Sequence, residues 1–232
     1  MRVRDQSLED YQRWKGWRSD QWGKFSEKKG AEFRKLLGCN PAGKSLLELG
    51  FGSGSFLSWA SESGALVSGV EVQEALLLAA KEKKFRVARS LREASDWAPF
   101  DLICAFDVLE HLSVGEINAF FALASQWLSP GGLICVKVPN AACPFALGMQ
   151  FGDVTHVTPL TRGSVGQLLS PHGLRIDRCR PHSAPLPGGF AGVRAILQRA
   201  IRHLYRKFAK FVWDLSEEHF YQCIVLEIRS AP

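Results

Sequence analysis

The stretch LLELGFGSGSFL, residues 46 to 57, sets Glu48 two positions before Gly50 and repeats glycine at 52 and 54. Glycines at this spacing let the backbone take unusual dihedrals and let a ligand approach where a Cβ would block it. They do not by themselves name the ligand. A pyrophosphate loop of the form GxGxxG is missed because position 55 is serine, and Glu48 would repel the phosphates. A cationic ligand reverses the sign of that interaction.

S-adenosylmethionine carries a sulfonium and an ammonium group, so Glu48 suits its methionine end. In VSGVEVQEA, residues 67 to 75, Glu71 stands where a second strand would end, with Val72 beside it, and can accept hydrogen bonds from two ribose hydroxyls. Glu71 therefore argues for a nucleoside, and Glu48 chooses which one. Methyl transfer from a sulfonium is an in-line displacement, so orienting the nucleophile matters most, and a hydroxyl nucleophile also needs help in losing its proton near neutral pH. His111 follows a fourth strand and His156 lies in the loop after a fifth, with Asp153 three residues earlier. His156 and Asp153 are candidates for catalysis or acceptor contact, against a role as loop anchor. His111 is open between catalysis and bracing of its turn. Asp153 and His156 alone are thin support for a metal, and none is expected.

The elements that must position these residues follow from the apolar pattern. Strand candidates at 45 to 49, 66 to 71, 85 to 88, 101 to 106 and 132 to 138 alternate with helices near 54 to 63, 73 to 83 and 114 to 128. Nearly continuous apolar strands separated by helices predict a parallel sheet covered on both faces. Pro130, Gly131 and Gly132 read as a turn, and Thr161 as the N-cap of a helix closed by Gly173. A strand at 174 to 180, a long helix at about 190 to 214 and a strand at 220 to 228 then predict an antiparallel pair with an inserted helix. The match GCNPAGKS, residues 38 to 45, to a phosphate loop is rejected because it follows a helix and enters a strand, the reverse of the order that a phosphate needs.

The 232 residues fit one large domain with additions, here a helical cap over 1 to 43 and a main domain over 44 to 232. No apolar run reaches the roughly 18 residues of a membrane span. The charged opening leads into no signal-like run either, so a soluble cytoplasmic protein is expected. The six cysteines form no CxxC pair and read as reduced core residues. The net charge of +6 mildly favours anionic partners. In GVRAILQRAIRHLYRKFAKFVWDL, residues 192 to 215, Val193, Ile196, Leu197, Ala200, Ile201, Leu204, Tyr205, Phe208 and Phe211 mark one apolar helix face. Arg194, Arg199, Arg202, Arg206, Lys207 and Lys210 occupy much of the rest. Either the apolar face packs on the domain, or the helix lies peripherally on an anionic membrane or receives a lipid-linked glycan. Nucleic acid is not expected, since the aromatic rings lie on the apolar face. Trp14, Trp17 and Trp22 are open between a flap over the site and core packing.

With FDLICAFDVLEHLS (100 to 113) and LSPGGLICVKVPN (128 to 140) added to the glycine loop and Glu71, residues 44 to 180 resemble the class I S-adenosylmethionine-dependent methyltransferases. The resemblance implies an α/β, Rossmann-like doubly wound sheet of seven strands, mostly parallel with an antiparallel last strand. It implies cofactor contacts at Glu48, Gly50, Gly52, Gly54, Glu71, Val72, Phe106, Asp107 and Leu112, with S-adenosylhomocysteine as product, and it sets His111 at the edge of the methyl site. WKGW (14 to 17) and FGDVTHVTPLTRGSVGQLLSPHGL (151 to 174) further resemble bacterial methyltransferases of polysaccharide and glycan pathways. That places a sugar hydroxyl ahead of other acceptors. The alternatives are a small-molecule methyltransferase acting on a quinone precursor or secondary metabolite, and a non-catalytic scaffold of the same fold.

Overall fold

The computed structural model describes residues 13–182, 189–213, 215 and 217–231. Seven strands form one sheet: β1 Ser45–Leu49, β2 Leu66–Val70, β3 Arg86–Ala88, β4 Phe100–Phe106, β5 Leu128–Pro139, β6 Leu174–Pro181 and β7 Cys223–Ser230. The helices are α1 Glu27–Leu37, α2 Ser55–Glu62, α3 Glu74–Glu82, α4 Val114–Trp127, α5 Leu147–Phe151, α6 Arg162–Leu169 and α7 Gly189–Trp213. The strand order is β3-β2-β1-β4-β5-β7-β6, and β7 alone runs antiparallel to its neighbours. This is the expected doubly wound sheet. The chain turns outward from β1 to β2 and later returns to place β4 on the other side of β1, and the carboxyl ends of strands at such a switch point are where open α/β sheets bind ligands.

The strands are apolar throughout because both faces are covered. Phe100, Ile103 and Ala105 of β4 enter one core, while Leu102 and Cys104 enter the other. Leu47 and Leu46 of β1 divide in the same way. Alternation of period two on a doubly covered sheet gives this result from Leu102 onward, and the register shift between Phe100 and Leu102 carries Phe100 to the side of Ile103. Helix starts are fixed by local chemistry: Ser113 and Glu116 form a capping box at α4, and Thr161 and Ser164 form another at α6. Such caps contribute about 1 kcal/mol each. Gly173, in the left-handed conformation, closes the turn between α6 and β6 as anticipated.

Two local expectations are corrected. Pro130 to Gly132 do not form a separate turn but lie within β5, where the pairing with β4 shifts register between Phe100 and Leu102. The last strand begins at Cys223 rather than 220, since Glu217–Phe220 form one tight helical turn. Of the helical cap expected over 1 to 43, α1 is present, residues 13–15 are helical and Ser19–Gln21 form a short turn, while residues 1–12 lie outside the described residues. Gly38 caps α1 in the left-handed region and the chain then enters β1, so the phosphate-loop match is a helix-to-strand connection.

Trp22 is fully buried and joins Phe33, Leu36 and Leu37 in the core beneath α2. All six cysteines are free thiols, four of them buried. Helix α7 lies between β6 and β7 in sequence, yet its apolar row does not pack on the domain. Val193, Ile196, Leu197, Ile201, Leu204 and Phe208 are exposed, and Phe211 is 90% exposed. Ala209 is buried, and Tyr205 contacts the rings of Phe145 and Phe220. The side chain of Arg199 lies outside the described residues.

Candidate active site

The loop after β1 turns sharply through Gly50, Gly52 and Gly54, all at positive φ. At Gly50 a Cβ would stand 2.5 Å from the Val108 side chain, and at Gly54 it would overlap the Trp22 indole. The close approach at these two positions is made by the protein's own side chains, and the positive φ at all three is the unusual backbone expected of them. Trp17, half-buried, lies over Gly52, so this tryptophan does cover the loop. Trp14 is exposed, with the Lys15 ammonium 4.8 Å from its ring centroid.

Glu71, at the end of β2, is buried and anchors the loop. The Gly52 N–H donates to Oε2 at 3.0 Å, while the N–H groups of Val72 and Gln73 donate to Oε1 at 2.8 and 3.1 Å. A carboxylate offers about four acceptor positions, so about one remains open. Burial raises its pKa, and the three amides only partly offset this. The Val72 side chain beside it is exposed. Glu48 is buried under the loop with Oε2 lacking any hydrogen-bond partner. Burial and then the neighbouring Glu71 push its carboxyl well above the ordinary range. A cationic ligand end would supply the partner that this oxygen lacks.

The end of β4 carries the second half of the site. Phe106 packs edge-on against Phe56 at 4.8 Å, and Asp107 takes a positive φ with its carboxylate 2.5 Å from Lys137 Nζ. Val108 reaches Gly50, and the next turn, Leu109–His111, carries Glu110, which is 1% exposed. The N–H groups of Val157 and Thr158 donate to the Glu110 carbonyl, and the Thr158 hydroxyl donates to the Leu112 carbonyl at 2.6 Å. These bonds join the β4 turn to the loop between α5 and α6. In consequence His111 and His156, 45 positions apart in sequence, bring their ring centroids to 4.6 Å.

His156 Nδ1 is 3.0 Å from the Gln150 carbonyl, and His111 Nδ1 is 3.2 Å from the Thr155 carbonyl and 2.9 Å from its hydroxyl. The Thr155 hydroxyl donates to Asp153 Oδ1 at 2.6 Å. Asp153 Oδ2 lies 3.8 Å from His156 Nε2 and 3.7 Å from Lys15 Nζ. Burial raises the Asp153 pKa, but the two hydrogen bonds from Thr155 and the histidines more than reverse this and leave it below its ordinary value. Burial and then His156 lower that of His111. Burial, with Asp107 adding to it, pushes Glu110 up to about 8.

With a glycine loop and two buried acids at the ends of β1 and β2, the family described as methyltransferase domain matches residues 22–178. The chain belongs to the methyltransferase family. Among solved structures, an S-adenosylmethionine-dependent methyltransferase from Archaeoglobus fulgidus is similar, with 21% identity, a TM-score of 0.63 and coverage of 88% of this chain and 93% of that one. A magnesium protoporphyrin IX methyltransferase from Synechocystis is similar at 14% identity and a TM-score of 0.59, over 96% of this chain and 94% of that one. An N-methyltransferase from Bradyrhizobium japonicum shows 16% identity and a TM-score of 0.57, over 88% and 87%. Both were solved with S-adenosylhomocysteine bound. No curated protein sequence matches. The cofactor expected from the sequence is the one this fold and family use.

In the methyltransferase, Glu48, Gly50, Gly52, Gly54 and Glu71 gather at the ends of β1 and β2, while Phe106, Asp107 and Leu112 follow from β4. Leu112 is half-buried, packed against the core. His111, Asp153 and His156 come together as one group. Sequence reasoning gave no role to Glu110, Lys137 or Lys15. The only signal for Glu110 was its place beside His111 just after an apolar strand, and an acid there reads equally well as a solvated surface residue.

Proposed function

We propose that this methyltransferase uses S-adenosylmethionine to methylate a hydroxyl on a sugar or glycan intermediate, as a cytoplasmic enzyme working against the inner face of a membrane. The observation that carries the reading is the group of His111, His156, Asp153 and Glu110, two imidazoles and two carboxylates gathered where the turn after β4 meets the loop before α6. S-adenosylmethionine, when bound, supplies an electrophilic methyl group and leaves as a neutral thioether. Glu48, the glycine loop, Glu71 and Val72 hold its nucleoside and methionine parts, with Phe106, Asp107 and Leu112 on the β4 side. A hydroxyl nucleophile is served by such a polar group, because its proton must leave as the bond to carbon forms. His156, with Asp153 beside it, stabilises that loss.

Calorimetric titration with S-adenosylhomocysteine, beside NADH and ATP, tests the cofactor, and micromolar binding of the first alone is expected. Nucleotide sugars and lipid-linked glycans are then the acceptors to assay. On an accepted substrate, His156→Ala is expected to lower kcat by about 100-fold or more, with the affinity for S-adenosylhomocysteine changed less than about twofold. Unchanged turnover would remove His156 from the chemistry.

The exposed row on α7 supports the membrane part. Among the described residues no helix is long and apolar enough to cross a membrane. An amphipathic helix with an exposed apolar face and Arg194, Arg202, Arg206, Lys207 and Lys210 around it can instead lie in an anionic interface. Phe145, itself exposed, extends the apolar surface from Tyr205. In sedimentation with vesicles, binding is expected to anionic but not to neutral bilayers and to weaken as salt is raised. Equal recovery in the supernatant with both compositions would dismiss the membrane.

A further inference from the structure

We infer that Glu110, His111 and His156, with Asp153 beside them, form a binding site for one divalent transition-metal cation. Their nearest ligand atoms lie within 4.8 Å of one another for the first three residues, and Asp153 Oδ2 is 3.8 Å from His156 Nε2. Donors around one such ion, at bonds of about 2.0–2.2 Å, stand about 3–4 Å apart, so closure needs only a small inward movement. The sequence expectation of no metal counted Asp153 and His156 alone. Folding adds Glu110 and His111.

Three further observations point to a cation rather than to a plain hydrogen-bonded group. Both Glu110 carboxylate oxygens are buried without a hydrogen-bond partner, as is Asp153 Oδ2. Buried carboxylate oxygens are rarely left in this state unless something positive meets them. Each histidine also has Nδ1 against a backbone carbonyl, which can only accept, so Nδ1 carries the proton and Nε2 the lone pair. The carbonyl contact on the far nitrogen is the outer arrangement that fixes metal-ligating imidazoles. Lys15 borders the group at Asp153, 3.7 Å away, and leaves the two Glu110 oxygens unmatched.

Two nitrogen and up to two oxygen donors suit zinc, manganese, iron(II) or cobalt(II) better than magnesium. Three protein ligands leave one position open on a tetrahedral ion, and three or four leave two or more open on a six-coordinate one. Resting on the proposed hydroxyl acceptor, the open positions would take the acceptor oxygen, or two neighbouring hydroxyls of a sugar. Bound there, the hydroxyl gives its proton to solvent, keeps its electron pair and forms the O–CH3 bond as the S–CH3 bond breaks.

The test begins with full-length protein freed of metal by chelation. Zinc, manganese, cobalt and magnesium are titrated singly by calorimetry, and cobalt also by its visible absorption. One equivalent of zinc or cobalt should bind, with magnesium much weaker, and Glu110→Gln, His111→Asn and His156→Asn should each weaken binding by about tenfold or more. These near-isosteric variants are compared after confirming unchanged affinity for S-adenosylhomocysteine, which shows that the fold survives. No saturable binding, or binding that all three variants retain, would overturn the site. Binding of one ion without methylation of any hydroxyl would uphold the site and instead discard the acceptor reading. Full turnover of metal-free enzyme on a hydroxyl would overturn the cation's part in the reaction.

Discussion

A Glu71→Ala variant is expected to bind S-adenosylhomocysteine at least about 100-fold more weakly, a loss of about 2.7 kcal/mol, and to melt at a lower temperature. The wild-type carboxylate accepts from Gly52, Val72 and Gln73 and so ties the tip of the glycine loop to the end of β2. Removing it leaves three amide donors to find other partners, at about 1–3 kcal/mol for each one that stays dry. Water entering the space will satisfy part of that demand, so a net destabilisation of about 2–4 kcal/mol is expected. The ligand suffers twice: it loses an acceptor for a ribose hydroxyl, and it meets a loop no longer held in shape. Glu71→Gln should fall between, because its single amide oxygen can serve only some of the donors and its NH2 group faces the rest. Calorimetry at a temperature where both variants are folded, together with thermal melting, separates the two effects. Wild-type affinity in folded Glu71→Ala would mean that the residue serves the loop alone.

The fold was legible because its pattern is local and repeated. Residues such as Leu46 and Leu47, or Cys104 and Ala105, are apolar on both sides of a strand, and only a doubly covered sheet asks for that. Thr161 and Gly173 likewise announced helix and turn boundaries by their own chemistry. The placement of candidate site residues was legible where one segment carries them, as for Glu48, the glycines and Glu71 at the ends of β1 and β2. It was not legible where two segments meet. Nothing near Glu110 in sequence shows that the amides of Val157 and Thr158 bind its carbonyl and bury its side chain. The partner across the cluster is about 45 residues away, and tertiary contact alone joins them. Helix α7 shows the opposite case, in which the periodicity was plain but the surface against which it lies could not be read. An apolar stripe has the same sequence whether it meets a core or a bilayer.

Trp22→Ala is expected to destabilise the folded protein by about 3–5 kcal/mol, a large part of the about 5–15 kcal/mol typical of a domain. The indole is fully buried, meets Phe51 and Phe85 edge-on at 5.8 and 5.1 Å, and has an N–H without a hydrogen-bond partner. What is lost is therefore packing. The Lys83 ammonium bonds to the Trp22 carbonyl, which the substitution keeps. Gly54→Ala should destabilise as well, for two reasons: alanine at a φ of 69° costs about 1–2 kcal/mol, and its methyl group would overlap the indole. The second reason disappears when the indole is gone. Combining the two substitutions should thus cost less than their sum by about 1 kcal/mol or more, since the new methyl group enters the space that Trp22 vacates. Urea unfolding of the wild type, both single variants and the double variant measures that difference. Strict additivity would show that the overlap is relieved by a shift of the loop, and that the glycine at position 54 is required for its backbone angle alone.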